Sequence, residues 1–271
     1  MRLALLALLG LCLIGVSGSA QAQATALKRL ETGDDSRGWE AVGRLDLDGR
    51  GFCTGALIAP DLVLTAAHCL YDKESGARID PARIEFLAGW RNGRAQAYRW
   101  VRRAVLHPDY RFDEKTTALR VRHDLALLEL HHPIRNTRVI PFTTDHQPRA
   151  GQRIGVVSYA RGREDAPSLQ EVCEVIARQH GVLVMSCDVD FGASGAPIFS
   201  FDDGGLPRVV SVVSAKAQVD GQKVSLGTDL ETPLSLLRVM LDQGEGLLPS
   251  SSPMISPVTS KRSTSAKFAK P

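Results

Sequence analysis

Leu62-Val63-Leu64-Thr65-Ala66-Ala67-His68-Cys69, with Gly51-Phe52-Cys53-Thr54-Gly55-Ala56-Leu57-Ile58 just before it, is the stretch from which the fold can be read. Both halves carry strand-length runs of Leu, Val or Ile, and Pro60-Asp61 between them is turn chemistry. The same rhythm continues outward on both sides. Ala41 to Leu47, Ile84 to Leu87, Trp100 to Leu106, Leu125 to Leu130, Gln152 to Val157, Val182 to Met185, Pro197 to Phe199 and Val209 to Val213 are short apolar or alternating runs punctuated by Gly, Pro, Asp and Asn. A helical period appears only from Thr232 to Leu241, where Leu234, Leu237, Val239 and Leu241 recur and Pro233 occupies a permitted first-turn position. Many short strands followed by one late helix predict an all-β sandwich or a pair of barrels.

Composition narrows the class. With 44% hydrophobic and 23% charged residues, the 271-residue chain falls in the globular range. No apolar run beyond the first two dozen positions is long enough to span a bilayer, so no stable membrane span is expected. The net charge is +3, of which Arg2 supplies one and Lys261, Arg262, Lys267 and Lys270 four, leaving residues 3–249 at −2. A slightly acidic body is a poor match for a phosphate backbone, so nucleic acid is not an expected partner.

Met1 and Arg2, the apolar Leu3 to Val16, and the small residues Ser17 to Ala24 have the order of a secretory signal peptide, assigned to residues 1–24. Two overlapping cleavage patterns place the mature start at Gln23 or Thr25 and the product in the secreted or periplasmic space. Residues 25–38 form an N-terminal segment and 39–244 the main domain, while the Ser, Pro and Lys-rich residues 245–271 read as a disordered basic tail. Outside the signal stand Cys53, Cys69, Cys173 and Cys187. Three pairings are open; spacing favours Cys53 with Cys69 and Cys173 with Cys187, each closing a short loop worth about 3 kcal/mol. None of the four sits in a tight metal-binding pair, so no metal is expected.

Three local signals carry chemistry. His68 follows two small residues directly behind an apolar strand; Asp124 heads the apolar run Leu125-Ala126-Leu127-Leu128; Ser194 stands in Phe191-Gly192-Ala193-Ser194-Gly195-Ala196-Pro197. An aspartate at the head of a buried strand must be hydrogen-bonded, because an unpaired buried charge is very costly. Glycines around a serine allow backbone angles that expose its hydroxyl and the nearby N–H groups.

Together with His107-Pro108-Asp109-Tyr110 and Cys187-Asp188, these stretches resemble the trypsin-like (chymotrypsin-fold) serine peptidases, and among them the bacterial secreted branch with the glutamyl endopeptidases. The resemblance runs over about residues 39–243 and implies two six-stranded antiparallel β-barrels with the active site between them and a C-terminal helix. Barrel one would cover about 39–135, and barrel two with the helix about 136–244. It further implies His68 as general base, Asp124 as its orienting partner, Ser194 as nucleophile, and the N–H groups of Gly192 and Ser194 as oxyanion hole. No cofactor is implied, and the substrate is a protein or peptide cleaved through an acyl-enzyme.

By the same resemblance Asp188 lies at the base of the pocket for the residue preceding the scissile bond, which would favour Arg or Lys, with Ser214 and Lys216 in its wall. Lys216, where a small residue is common, would neutralise Asp188 or narrow the entrance. Ala193 occupies the place where many members carry an acid that pairs with a new N-terminus, so that activation switch is expected to be absent. His131, His132 and His180 read as surface or structural residues. Competing readings are a catalytically silent homologue serving as a binding module and an envelope-associated structural protein held by its tail. Intact His68, Asp124, Ser194 and Gly192 favour the enzyme.

Overall fold

The structure, a computed structural model, describes residues 25–112, 115–146, 148–201, 206–219 and 221–250. The signal-peptide assignment and residues 251–271 of the tail lie outside the described residues. Strand β1 (Lys28–Arg29) precedes the first barrel, built from β2 (Val42–Leu47), β3 (Phe52–Ala59), β4 (Leu62–Thr65), β5 (Ile84–Ala88), β6 (Ala97–Leu106) and β7 (Ala126–Leu130). Its closed order is β2-β3-β4-β7-β6-β5, with Gly43 opposite Gly55 on β3 and Ala88 on β5. A short helix α1 (Ala118–Arg122) leads into β7.

The second barrel uses β8 (Arg153–Ala160), β9 (Arg163–Gln179), β10 (Val182–Met185), β11 (Pro197–Ser200), β12 (Arg208–Val219) and β13 (Gln222–Asp229). Their order is β9-β10-β13-β12-β11-β8, and the β8–β9 pairing closes the ring, with β1 added on the outside of β9. Two six-stranded antiparallel barrels therefore stand where the sequence reading left a sandwich or barrels open. Helix α2 (Glu231–Asp242) follows and turns Pro233, Leu234 and Leu237 inward, as its 3.6-residue period requires.

Apolar alternation locates the cores. Leu45, Leu57, Val63, Leu64, Phe86 and Leu127 are fully buried in barrel one, and Ile154, Val156, Val175, Leu183 and Ile198 in barrel two. Each such side chain contributes about 1.5–3 kcal/mol by leaving water. Phe199 of β11 meets Trp39 and Phe142 edge-on at centroid distances of 5.0 and 4.8 Å, joining barrel two to the chain before β2 and after β7.

Three features depart from the sequence reading. Strand β9 runs for 17 residues through Glu, Asp, Arg and Pro167, and β13 begins with Gln222-Lys223. Asp165, Glu171, Arg178, Gln179, Gln222 and Lys223 face solvent while Ser168, Gln170, Ser225 and Thr228 are buried on hydrogen-bonded strands, so local hydrophobicity does not announce them. Composition puts the start of the tail at residue 245, yet Leu247 exchanges two backbone hydrogen bonds with Ala104 (2.7 and 3.0 Å) and the Ser250 N–H donates to Asp80 (2.9 Å). Residues 245–250 thus lie on barrel one, because they complete backbone groups that β6 leaves open.

Candidate active site

His68 lies in a single 3-10 turn (Ala67–Leu70) that begins as soon as β4 ends, so the ring is held at the mouth of barrel one. The next residue, Cys69, is bonded to Cys53 on β3, which ties this turn to the neighbouring strand. Asp124 sits between α1 and β7 and is completely buried. Its Oδ1 accepts the His68 backbone N–H at 2.8 Å, and its Oδ2 meets His68 Nδ1 at 2.7 Å and accepts the Ser214 hydroxyl. Because both carboxyl oxygens act as acceptors here, Nδ1 is the protonated ring nitrogen, which leaves the Nε2 lone pair to the cleft. Ser214 comes from β12, so the Asp124 carboxyl is held from both barrels at once.

Ser194 is partly exposed between buried Ala193 and Gly195. Tight bonds shape its loop: Ala193 N–H to Asp190 (2.9 Å), Ala196 N–H to Ala193 (3.0 Å) and Gly195 N–H to Val213 (2.8 Å). Among the described residues no protein acceptor takes the N–H of Gly192 or Ser194. Gly192 (φ 98°) and Gly195 (φ 76°) are in the left-handed region, and a Cβ would stand 2.3 Å from Phe52 at the first and 2.1 Å from Thr65 Oγ1 at the second. Thr54 locks the loop to barrel one: its N–H donates to the Ser194 carbonyl (2.8 Å) and its hydroxyl to the Gly192 carbonyl (2.9 Å). His68 and Ser194 line one cavity of about 800 Å³.

Two other groups bring three metal-capable side chains together among the described residues. Cys53 and Cys69 beside His68 are spent in their disulfide. In the other group, His107 and His123 stack at 4.5 Å, and His107 Nδ1 accepts the Asp109 N–H (3.2 Å), which uses the lone pair a metal would need.

This barrel pair, with an imidazole, a buried carboxyl and a glycine-flanked serine at its seam, is similar to known proteins. Residues 53–206 match the trypsin-like peptidase domain family. The chain belongs to that family. Serine protease 23 of Mus musculus is 29% identical over 163 residues, covering 54% of this chain and 42% of that protein. The glutamyl endopeptidase of Bacillus licheniformis is 26% identical over 150 residues, covering 55% and 45%. The chain thus spans less than half the length of these relatives. A solved structure of Glu endopeptidase in complex with MPD superposes with a TM-score of 0.64 over 80% of this chain and 97% of that one, at 17% identity, so it shares the fold.

Within this trypsin-like domain the expected pocket residues part company. Ser214 and Lys216 line the cavity with Ser194, but Asp188 does not. Asp188 is exposed, and its N–H donates to Gln170 Oε1 (2.8 Å). Lys216 pairs with Asp190 (2.7 Å) instead of Asp188. The path of this irregular segment decides it: the Asp188 N–H is held on Gln170, and Asp190, two residues on, meets Lys216 of β12. Half-buried Arg163, overlooked in the sequence, feels the charges of Asp188 and Asp190, although burial is the larger influence and holds its guanidinium pKa down. Thr54, Gln170 and Arg163 had no local signal, since each acts through partners distant in the chain. The second disulfide joins Cys173 on β9 to Cys187, the residue before Asp188.

Proposed function

We propose that the protein is an exported serine endopeptidase in which His68, Asp124 and Ser194 form the catalytic triad. The observation that carries the reading is the doubly anchored Asp124 carboxyl, bonded to His68 at both its backbone and Nδ1 and to Ser214 across the cleft. In this reading the Ser194 Oγ attacks the scissile carbonyl while His68 Nε2 takes its proton, and the carbonyl oxygen becomes an oxyanion held by the Gly192 and Ser194 N–H groups. Collapse breaks the C–N bond as His68 hands the proton to the departing amine. Water then attacks the acyl-enzyme as His68 takes its proton, and the acyl C–Oγ bond breaks as His68 returns that proton to the Ser194 Oγ and the acid product leaves. Two disulfides support an oxidising destination, in keeping with the signal-like first 24 residues, and no helix of the described residues is long and apolar enough to cross a membrane. Ala193 leaves no acid beside the nucleophile for a new N-terminus to pair with, so activity should not require one.

A fluorophosphonate probe tests this directly. Labelling of the wild-type chain that disappears in Ser194→Ala, together with peptide hydrolysis, is the expected result. A folded wild-type chain that neither labels nor cleaves would instead favour a catalytically silent binding module.

A further inference from the structure

The cleft divides at His68, Lys73, Glu74 and Phe191, which line both sides, into two cavities. The first holds Ser194, Ser214 and Lys216, the wall expected for the residue before the scissile bond. The second, of about 590 Å³, opens on the other side of His68 and Gly192 against Phe52 and the Cys53–Cys69 disulfide. On the peptidase reading, with the residue before the scissile bond in the first cavity, the segment after the bond lies toward the second.

Charge is distributed unevenly around that second cavity. Phe191, 49% exposed, carries three cations over its ring: Lys216 at 4.2 Å, Arg161 at 4.9 Å and Lys73 at 5.8 Å from the centroid. Lys216 is neutralised by Asp190, and Arg50, also at the rim, by Asp48 and Asp72. Among the described residues neither Lys73 nor Arg161 forms an ion pair. Arg161 feels the charges of Glu164 and Asp190 without a direct ion pair to either; Glu164 accepts the Gly162 N–H (2.9 Å) and Asp190 holds Lys216, and Glu74 pairs with neither cation. Burial first, and then the Arg161 charge, lowers the pKa of the Lys73 ammonium, the situation that an anion between the two would reverse. Arg161 is positioned for this by its own N–H, which donates to the Phe191 carbonyl at 2.7 Å.

We propose that Lys73 and Arg161 form an acceptor for a carboxylate of the leaving segment, so that the protein selects peptides with an anionic group within the first two positions after the scissile bond. The inference rests on the peptidase reading above for its direction along the cleft. Binding is measured with the full chain carrying Ser194→Ala, by fluorescence anisotropy against two fluorescein-labelled, C-terminally amidated decapeptide pools. The pools are randomised except at positions six and seven, which are Glu-Glu in one and Gln-Gln in the other. The Glu pool should bind about tenfold tighter at low ionic strength. That gap should fall below about twofold when Lys73→Ala and Arg161→Ala are combined, and Arg161→Glu should turn the preference toward a Lys-Lys pool. A heptapeptide Gln-Gln pool with a free terminal carboxylate separates the two sources of the anion. Tight binding of that pool assigns the acceptor to a chain end; weak binding assigns it to an acidic side chain.

Equal affinities across the pools, or a Glu preference that survives both substitutions, would overturn the proposal. Cleavage of a mixed peptide library by the wild-type chain decides the reading beneath it. A chain that discriminates the pools and cuts nothing overturns the peptidase assignment and leaves the acceptor standing. One that cuts without enrichment of anionic groups after the bond overturns the acceptor alone.

Discussion

Asp124 illustrates how a single residue is decided by its surroundings. Buried without partners it would be very costly, and it is retained because His68 and Ser214 supply three donors. Groups that act as one unit fail as one unit. Replacing either His68 or Ser194 by Ala should lower kcat by several orders of magnitude, with the double substitution little worse than either single one; additive losses in steady-state kinetics would refute the triad. Asp188 is a second case. Exposed and outside the cavity that holds Ser194, it is poorly placed to reach a basic side chain, which argues against the Arg or Lys preference that the sequence led us to expect. Comparison of kcat/KM on matched substrates with Arg, Glu or Phe before the scissile bond should show the same order for the wild type and Asp188→Ser. A lost Arg preference in that variant would restore Asp188 as selector.

At the scale of elements, the N-terminal segment is bound to barrel two by features its sequence does not advertise. Lys28 pairs with Leu169 and Arg29 with Ser168 on β9, Leu30 is 1% exposed, and Gln170 donates to the Thr25 carbonyl while accepting the Asp188 N–H. Leu30 is the fully buried side chain of this segment and joins the core. Leu30→Ala should cost about 2–5 kcal/mol in urea denaturation, whereas an N-terminal extension of a few residues before Thr25 should leave the midpoint nearly unchanged. A silent Leu30→Ala would show that β1 is an ornament on the barrel. The apolar strands and α2 were legible because their periods are local. Strand β9 was not, since its polar residues are tolerated by partners on β8 and β10.

Across the whole molecule, folding decides how charge responds to pH. His107 and His123 both have lowered pKa values: burial is the main cause for each, Arg122 adds to it for both and the facing imidazole for His107, and Asp109 opposes. Above about pH 6.5, the ordinary imidazole value, both states hold these rings neutral and nothing is lost. Below it the unfolded chain takes up protons that the fold resists, so stability should fall as pH drops toward 5. Urea midpoints between pH 7.5 and 5 should decline less steeply in His123→Gln; parallel curves would remove these rings as the cause. What the chain determined by itself is what short windows can carry: strand-length apolar runs, the late helix, cysteine pairs 16 and 14 residues apart, and the His, Asp and Ser neighbourhoods. Only the tertiary structure decided the partners. His68 finds Asp124 across 56 residues, Ser214 finds it across 90, and Thr54 reaches Gly192 across 138. Barrel closure sets those meetings, as it sets Lys216 on Asp190 and residues 245–250 on β6, because hydrogen bonds and ion pairs depend on ångström-scale geometry that neither periodicity nor spacing encodes.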